Sequence, residues 1–185
     1  MAQAGSKQSP ARRQVGRAME RTEVLKLGAV AGKSLLDVGA GPMALIAARD
    51  FGCEVTTVDI STSALEMGHR EAADAHLADR IKFDRQDATD LPYPDQSFDV
   101  AVSYGAVHHV PVARRQKLLA ELFRVVRERI IVAEYTSAEF NRVHPDGSYE
   151  LVALDWLEQA LGRLGKRETH RGEQMNVCIC HREKR

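Results

Sequence analysis

Cysteine is scarce in this sequence. There are three cysteines in 185 residues, and no two of them form a C-x-x-C pair. An odd number of cysteines with this spacing argues against a disulfide framework and against a four-cysteine zinc site. Cys178 and Cys180 alternate along an apolar segment and are expected to lie in one buried strand. No metal site is therefore predicted.

Long apolar segments are also missing. No run of apolar residues is long enough to cross a bilayer, and the first residues lack the apolar core of a signal peptide. There is no internal repeat and no linker that divides the chain. A length of 185 residues suits one domain with a sizeable core. We therefore expect a disordered tail at residues 1–10, one domain at residues 11–185, a cytoplasmic location and no membrane partner.

Net charge is absent as well, because 26 basic residues balance 26 acidic ones. The charges are nevertheless unevenly placed. Residues 49–99 hold twelve Asp and Glu against five Lys and Arg, whereas residues 1–33 hold seven Lys and Arg against two Glu. An acidic centre favours a cationic ligand, and basic ends favour an anionic partner. Most of these charges are more simply explained as solvated surface, so a nucleic-acid partner is not favoured.

What the sequence does contain is a strand, a glycine turn and a helix start in the segment SLLDVGAGPM, residues 34–43. Gly39 and Gly41 have no Cβ, so the backbone turns sharply there and a ligand can lie against it. Pro42 suits the first position of a helix, where its missing N–H is not needed. This arrangement is typical of a nucleotide-binding site.

Asp37 decides between two classes of nucleotide ligand. Gly39, Gly41 and Ala44 match the dinucleotide spelling G-x-G-x-x-G/A. A pyrophosphate, however, is an anion and would be repelled by a carboxylate two residues before the first glycine. The same carboxylate suits the ammonium of an amino-acid moiety, and S-adenosylmethionine carries both an ammonium and a sulfonium. A nicotinamide-dependent reductase is therefore the less favoured alternative.

The motif LLDVGAGPM resembles the first motif of class I S-adenosylmethionine-dependent methyltransferases, and more narrowly of the type 11 methyltransferase-domain subgroup. The resemblance implies an α/β fold: a single Rossmann-like domain whose seven-stranded, mostly parallel sheet has helices on both faces and one antiparallel strand near an edge. It also implies S-adenosyl-L-methionine as the cofactor. Asp37, Gly39, Ala40, Gly41 and Met43 would line its site. Met43 stands where the family has its third glycine.

Asp59 is predicted to bind the ribose of the cofactor. It closes a β-branched run, residues 54–59, and stands 18 residues after Gly41. An acidic residue about 20 residues on accepts hydrogen bonds from ribose hydroxyls in nucleotide-binding βαβ units. A carboxylate can accept from both hydroxyls. The resemblance adds the following residue, Ile60, to the cofactor site.

Asp87 and Ala88 match the third block of the family. They precede a Leu-Pro pair and then Phe98 and Asp99, in the spacing that the family shows. The resemblance implies that the Asp87 carboxylate accepts from the adenine amino group and that the Ala88 N–H donates to a ring nitrogen. It also places Tyr104, at the end of the next strand, beside the cofactor.

Catalytic residues are harder to identify, because the sulfonium is already activated and alignment alone can drive transfer. His108 and His109 follow the fourth strand, and Tyr135 ends the fifth. These three are the weak catalytic candidates. The loop lacks the Asn/Asp-Pro-Pro-Tyr/Phe motif of amino-group methyltransferases, and the chain lacks the Pro-Cys pair of C5-pyrimidine enzymes.

The remaining pattern predicts the other elements. These are helices at Ala11–Leu27, Thr62–Asp79 and Val112–Glu128, a polar loop at 136–150, a helix from Asp155, and strands at 166–171 and 175–181. The resemblance implies that the helix at Ala11–Leu27 can fold over the cofactor as a lid. Two capping boxes are predicted, at Ser63 with Glu66 and at Asp155 with Glu158.

The predicted function is S_N2 methyl transfer from S-adenosylmethionine to a nucleophile on a small molecule. Two alternatives from other classes stay open. One is a methyltransferase that acts on RNA or protein through its basic ends. The other is a module that binds S-adenosylmethionine without catalysis.

Overall fold

The computed structural model describes residues 20–183. The tail predicted at residues 1–10 and most of the helix predicted at Ala11–Leu27 lie outside the described residues. The described part of that helix, α1, begins at Arg21.

Within the described residues, seven strands form one sheet. They are β1 (Ser34–Val38), β2 (Glu54–Asp59), β3 (Ile81–Arg85), β4 (Phe98–Tyr104), β5 (Val126–Tyr135), β6 (Lys166–Arg171) and β7 (Met175–His181). The strand order is β3-β2-β1-β4-β5-β7-β6. Only β7 runs antiparallel, to β5 on one side and to β6 on the other. The predicted fold class is confirmed.

Six helices accompany the sheet in residues 20–183. They are α1 (Arg21–Leu27), α2 (Pro42–Phe51), α3 (Thr62–Asp74), α4 (Val112–Val125), α5 (Ser137–Val143) and α6 (Leu154–Gly162), with a 3₁₀ turn at Val107–His109. None of these helices is long and apolar enough to cross a membrane.

The core has two halves because successive side chains of a strand point to opposite faces of the sheet. Leu35 packs with α1, α2 and α3 on one face, whereas its neighbour Leu36 packs with α4 and α6 on the other. Ile131 and Ile130 divide in the same way on β5. Since helices cover both faces, the central strands are apolar along nearly their whole length.

The strand order reverses between β1 and β4, which are adjacent and parallel. From β1 the sheet grows through β2 and β3 in one direction, and from β4 through β5 in the other. In open α/β sheets the carboxyl ends of the strands form a crevice at such a point, and ligands bind there. This places the candidate site above β1, β2 and β4.

Two details of α3 were predicted wrongly. Its N-cap is Ser61, whose hydroxyl accepts from the Ala64 N–H, so the capping box at Ser63 is wrong. The helix ends at Asp74 instead of Asp79. The chain leaves the helix because His76 adopts a left-handed φ of 56° and the Leu77 N–H bonds back to the Ala72 carbonyl.

The boundary between α4 and β5 also differs from the prediction. The helix ends at Val125, and β5 begins at once with Val126, which pairs with Phe98. Residues 126–128 were assigned to the helix because Val126 continues its apolar stripe. Pairing of Val126 with Phe98 of β4, which the local sequence does not show, overrides that pattern.

The region after β5 holds a helix that was predicted as loop. α5 is capped by the Thr136 hydroxyl and buries Phe140. Further on, α6 begins at Leu154 with Ala153 as N-cap and no side-chain cap, so the capping box at Asp155 is wrong. Glu158 instead forms ion pairs with arginines of β6.

Two glycines at the end of α6 give a matched test of the packing against the β6–β7 hairpin. A Cβ on Gly165 would lie 2.2 Å from the backbone oxygen of His181, whereas a Cβ on Gly162 would be 3.6 Å from its nearest neighbour, the side chain of Arg167. We expect Gly165→Ala to lower the free energy of unfolding by about 1–3 kcal/mol. Gly162→Ala should change it by less than about 1 kcal/mol, in the stabilising direction. Equal urea midpoints for the two variants would contradict this packing.

Candidate functional site

Two adjoining cavities occupy the crevice at the carboxyl ends of β1, β2 and β4. Each has a volume of about 230 Å³. We call them the Asp37 cavity and the Asp87 cavity after one carboxylate in each. Asp59 and His109 belong to both linings, so the two cavities form one continuous cleft.

Every residue predicted to bind the cofactor lines this cleft. The Asp37 cavity is lined by Asp37, Gly39, Ala40, Gly41, Met43, Asp59 and Tyr104. The Asp87 cavity is lined by Gly39, Asp59, Ile60, Asp87 and Ala88. The structure therefore brings together residues from three separate sequence motifs. Their roles in binding stay predictions.

The glycine turn shapes the floor of the cleft. Gly39 has a φ of 100°, a conformation that side chains rarely adopt, and its N–H donates to the Val58 carbonyl. Gly41 is the N-cap of α2, and no atom lies within 4 Å of where its Cβ would be. The backbone is thus open to a ligand at Gly41.

Asp37 is a carboxyl group buried at the end of β1. It is 1% exposed and accepts a hydrogen bond of 3.2 Å from the Thr57 hydroxyl. Burial raises its pKa to about 8, although the Thr57 hydrogen bond and the positive charge of Arg21 oppose the shift. A cation in the adjoining cavity would stabilise the charged form.

Asp59 joins the ends of β1 and β2. One oxygen accepts from the Ala40 N–H at 2.8 Å, and the other accepts from the Ser61 N–H at 2.8 Å. Each carboxylate oxygen can accept two hydrogen bonds, so each keeps capacity for one more donor. Two neighbouring hydroxyls of a ribose fit this remaining capacity.

Asp87 stands in a turn after β3. Its Oδ1 accepts from both the N–H and the hydroxyl of Thr89, and its Oδ2 accepts from Arg114 Nη2 at 2.8 Å. Burial by itself would raise the pKa of Asp87, but the hydrogen bonds from Thr89 and Arg114 outweigh it and hold the pKa below its usual range.

His108, one of the catalytic candidates, is closed off from the cleft. It is 2% exposed, with Nδ1 2.9 Å from Glu134 Oε2 and Nε2 3.2 Å from Nε2 of His144. Glu134 Oε1 accepts from the Val107 N–H. The hydrogen-bond assignment that satisfies all groups has His108 donating to Glu134 and accepting from His144. Both ring nitrogens are therefore hydrogen-bonded, and His108 stabilises the loop after β4 without facing the cleft.

His109 faces the cleft instead. It is exposed, lines both cavities, and its ring centroid lies 4.1 Å from that of His108. Partial desolvation of the ring by the residues around it lowers its pKa, which favours the neutral imidazole. Tyr135 lies against Gly105, whose Cβ position would be 3.7 Å from its ring and hydroxyl.

Within residues 20–183, no three His, Cys, Asp or Glu side chains are grouped to hold a metal ion.

Several contributors to the cleft were missed from sequence. Arg21 lines the Asp37 cavity, with its guanidinium 4.5 Å from the ring centroid of Tyr104. Thr89 and Arg114 line the Asp87 cavity. Asp followed two residues later by Thr is a turn signal that points to Thr89. Nothing local in the sequence connects Arg114, 27 residues from Asp87, to this site.

Comparison with known families agrees with this geometry. Residues 35–129, just over half of the chain, match a family described as a methyltransferase domain. The chain belongs to the class I S-adenosylmethionine-dependent methyltransferases. The matched region of this methyltransferase includes the three carboxylates of the cleft, and S-adenosylmethionine is the cofactor of the family. The resemblance stated from the first motif is confirmed.

Curated relatives are longer than this chain. The demethylmenaquinone methyltransferase of Renibacterium salmoninarum is 33% identical over 162 residues, which cover 83% of this chain and 60% of that protein. The 27-O-demethylrifamycin SV methyltransferase of Amycolatopsis mediterranei is 37% identical over 99 residues, covering 52% of this chain and 36% of that protein. The chain thus spans less than two thirds of the length of these relatives.

Solved structures share the fold. The magnesium protoporphyrin IX methyltransferase of Synechocystis PCC 6803, solved with bound SAH, has a TM-score of 0.70 at 15% identity. The alignment covers 88% of this chain and 80% of that protein. The [4+2]-cyclase SpnF has a TM-score of 0.68 at 25% identity. The alignment covers 82% of this chain and 58% of SpnF.

We expect Asp37→Asn to stabilise the ligand-free protein, and increasingly so at higher pH. Because the folded pKa of Asp37, about 8, exceeds its ordinary value of 3.8, the stability linked to its proton is complete below pH 4 and is lost as the pH rises through 8. Asparagine lacks this titration. The difference in unfolding free energy between variant and wild type should grow by about 3–4 kcal/mol between pH 5 and pH 8, since each pH unit below the folded pKa contributes about 1.4 kcal/mol. A difference that is constant with pH, measured by urea titration, would contradict the raised pKa.

The two neighbouring histidines should differ in their effect on stability. We expect His108→Ala to lower the unfolding free energy by roughly 2–4 kcal/mol, because it leaves Oε2 of the buried Glu134 without its partner. His109→Ala should lie within about 0.5 kcal/mol of wild type, since its ring is exposed. Thermal unfolding of both variants tests this, and the reverse order of stability would show that the buried pairing is misassigned.

Proposed function

We propose that this chain binds S-adenosylmethionine along the cleft and transfers its methyl group to a small molecule. The observation that carries the proposal is the position of three carboxylates along one cleft. Asp37 lies at one end, Asp59 at the junction of the two cavities and Asp87 at the other end. Their order matches a molecule with an ammonium group, a ribose and a base with an amino group.

Each carboxylate has the capacity that its role requires. Asp37 is buried and gains from a neighbouring cation, which suits the ammonium. Asp59 keeps one acceptor position on each oxygen, which suits two ribose hydroxyls. Asp87 keeps one position on Oδ2, which suits the amino group of adenine. The open backbone at Gly41 admits the amino-acid portion.

When bound, S-adenosylmethionine supplies a methyl group on a positively charged sulfur that is already activated for S_N2 attack. The chain's own task is to align the acceptor and to exclude water. Tyr104, Gly105 and His109 border the Asp37 cavity on the side of β4. A neutral His109 there can take the proton of an acceptor hydroxyl, so it is our candidate base.

A small-molecule acceptor is supported by the names of the relatives, which include demethylmenaquinone and rifamycin methyltransferases. RNA or protein as acceptor stays the less favoured alternative. Nucleic-acid binding likewise stays possible but not favoured. The cytoplasmic location predicted from sequence stays a prediction.

The N-terminal helix is proposed to cover the cofactor. Arg21, the first residue of α1, lines the Asp37 cavity and lies over the ring of Tyr104. A helix that carries a wall residue of the cleft is placed to close over it. The domain boundary at residue 11 and the tail at residues 1–10 stay predictions.

Methyl transfer itself needs a direct measurement, because one fold can support different reactions. SpnF, with the same fold, is a [4+2]-cyclase. A role in which S-adenosylmethionine is bound without methyl transfer is the second candidate function. Incubation with methyl-labelled S-adenosylmethionine and size-fractionated cell extracts separates the two. Label in the small-molecule fraction supports the proposal, whereas binding with no label in any fraction favours the second candidate.

We expect Asp59→Ala to weaken S-adenosylmethionine binding by about 1–3 kcal/mol, the usual cost of losing a charged hydrogen-bond partner. Asp59→Asn keeps an acceptor oxygen and nearly the same shape, so it should lose less binding free energy. Asp50→Ala is the matched control, because Asp50 lies at the exposed end of α2 and pairs with its neighbour Arg49. Calorimetry that finds equal affinity for folded Asp59→Ala and Asp50→Ala would reject the ribose role.

A further inference from the structure

Arg114 crosses the outer wall of the Asp87 cavity. It lies in the first turn of α4, and its Nη2 donates to Oδ2 of Asp87 at 2.8 Å and also contacts the hydroxyl of Thr89. The pair connects α4 to the loop that follows β3. Thr89 itself is 1% exposed, so the turn that carries Asp87 is anchored in the core.

The hydrogen bonds at Asp87 leave one acceptor position. A carboxylate has about four lone-pair positions, two on each oxygen. The N–H and the hydroxyl of Thr89 use both positions of Oδ1, and Arg114 uses one position of Oδ2. The remaining position belongs to Oδ2, and both Asp87 and Arg114 line the cavity.

We propose that Arg114 is a positioning residue for the nucleobase, which holds Oδ2 of Asp87 so that its last acceptor position receives the 6-amino group of adenine. This proposal rests on the proposed function, because it requires the base to enter the Asp87 cavity. It goes further by assigning base selectivity to an ion pair between α4 and the β3 loop. The guanidinium, together with the hydrogen bonds from Thr89, also lowers the pKa of Asp87. A charged carboxylate is a stronger hydrogen-bond acceptor than a neutral carboxyl group.

A lysine cannot fully replace this arginine. The planar guanidinium can direct one Nη2 toward Asp87 and Thr89 together, whereas an ammonium is a compact charge without a fixed orientation. Arg114→Lys therefore separates the effect of charge from the effect of orientation. Arg114→Gln removes the charge and keeps much of the length of the side chain.

Arg127 offers a matched control. It pairs with Asp99 at 3.0 Å, and the arginine side chains are similarly exposed, 49% for Arg127 and 47% for Arg114. The Arg127–Asp99 pair lies at the starts of β4 and β5, at the opposite end of the sheet from the cleft. Arg127→Gln removes a comparable surface ion pair without touching the cavity.

The experiment compares S-adenosylhomocysteine with its analogue that lacks the 6-amino group, by calorimetry on the full chain. The readout is the ratio of the two dissociation constants, which isolates the contribution of the amino group. We expect wild type and Arg127→Gln to prefer the amino compound by about tenfold. In Arg114→Gln the preference should fall to about twofold, and Arg114→Lys should lie between them.

A second readout is the pH dependence of S-adenosylhomocysteine binding. Because Arg114 helps to lower the pKa of Asp87, its removal should move the acidic loss of affinity to higher pH. A purely structural role would weaken both ligands equally and leave the ratio unchanged, which would overturn the proposal. Tighter binding of S-adenosylhomocysteine to Arg114→Gln would also overturn it, since Arg114 would then compete with the base. Failure of the wild type to bind S-adenosylhomocysteine would instead reject the proposed function, and this proposal with it.

Discussion

The cleft depends on one carboxylate that joins two strand ends. Asp59 accepts from the Ala40 N–H in the glycine turn after β1 and from the Ser61 N–H at the start of α3. These contacts fix the floor of the cleft relative to the end of β2, and they orient both oxygens of Asp59. The Asp37 cavity and the Asp87 cavity meet at this residue. A molecule that fills both must pass over Asp59, so the geometry of binding is decided here.

The two ends of the cleft are prepared in different ways. Asp37 is buried with a single hydrogen-bond donor from a side chain, and burial raises its pKa to about 8. That carboxyl group is unfavourably placed until a cation arrives, which makes the cavity selective for positive charge. Asp87 is already held by Thr89 and Arg114, so its charge and orientation exist before any ligand binds. One end therefore selects by charge and the other by the direction of a hydrogen bond.

Sequence patterns predicted most of what depends on short stretches of chain. The bounds of β2, β6 and β7 were predicted correctly, because β-branched or alternating runs end at clear turn residues. All ten predicted cofactor residues line the cleft because each motif ends a strand at the same edge of the sheet. The failures involve contacts between distant segments. Pairing of β5 with β4 ended α4 at Val125, and Arg114 and His144 lie 27 and 36 residues from their partners Asp87 and His108. No local pattern indicates such partners.

The most direct test of the central claim is a crystal structure of this chain with S-adenosylhomocysteine. We expect the amino-acid ammonium beside Asp37, both ribose hydroxyls on Asp59, and the adenine amino group on Oδ2 of Asp87. A nucleoside bound elsewhere, or bound in the cleft with its base and amino acid exchanged between the two cavities, would contradict the account.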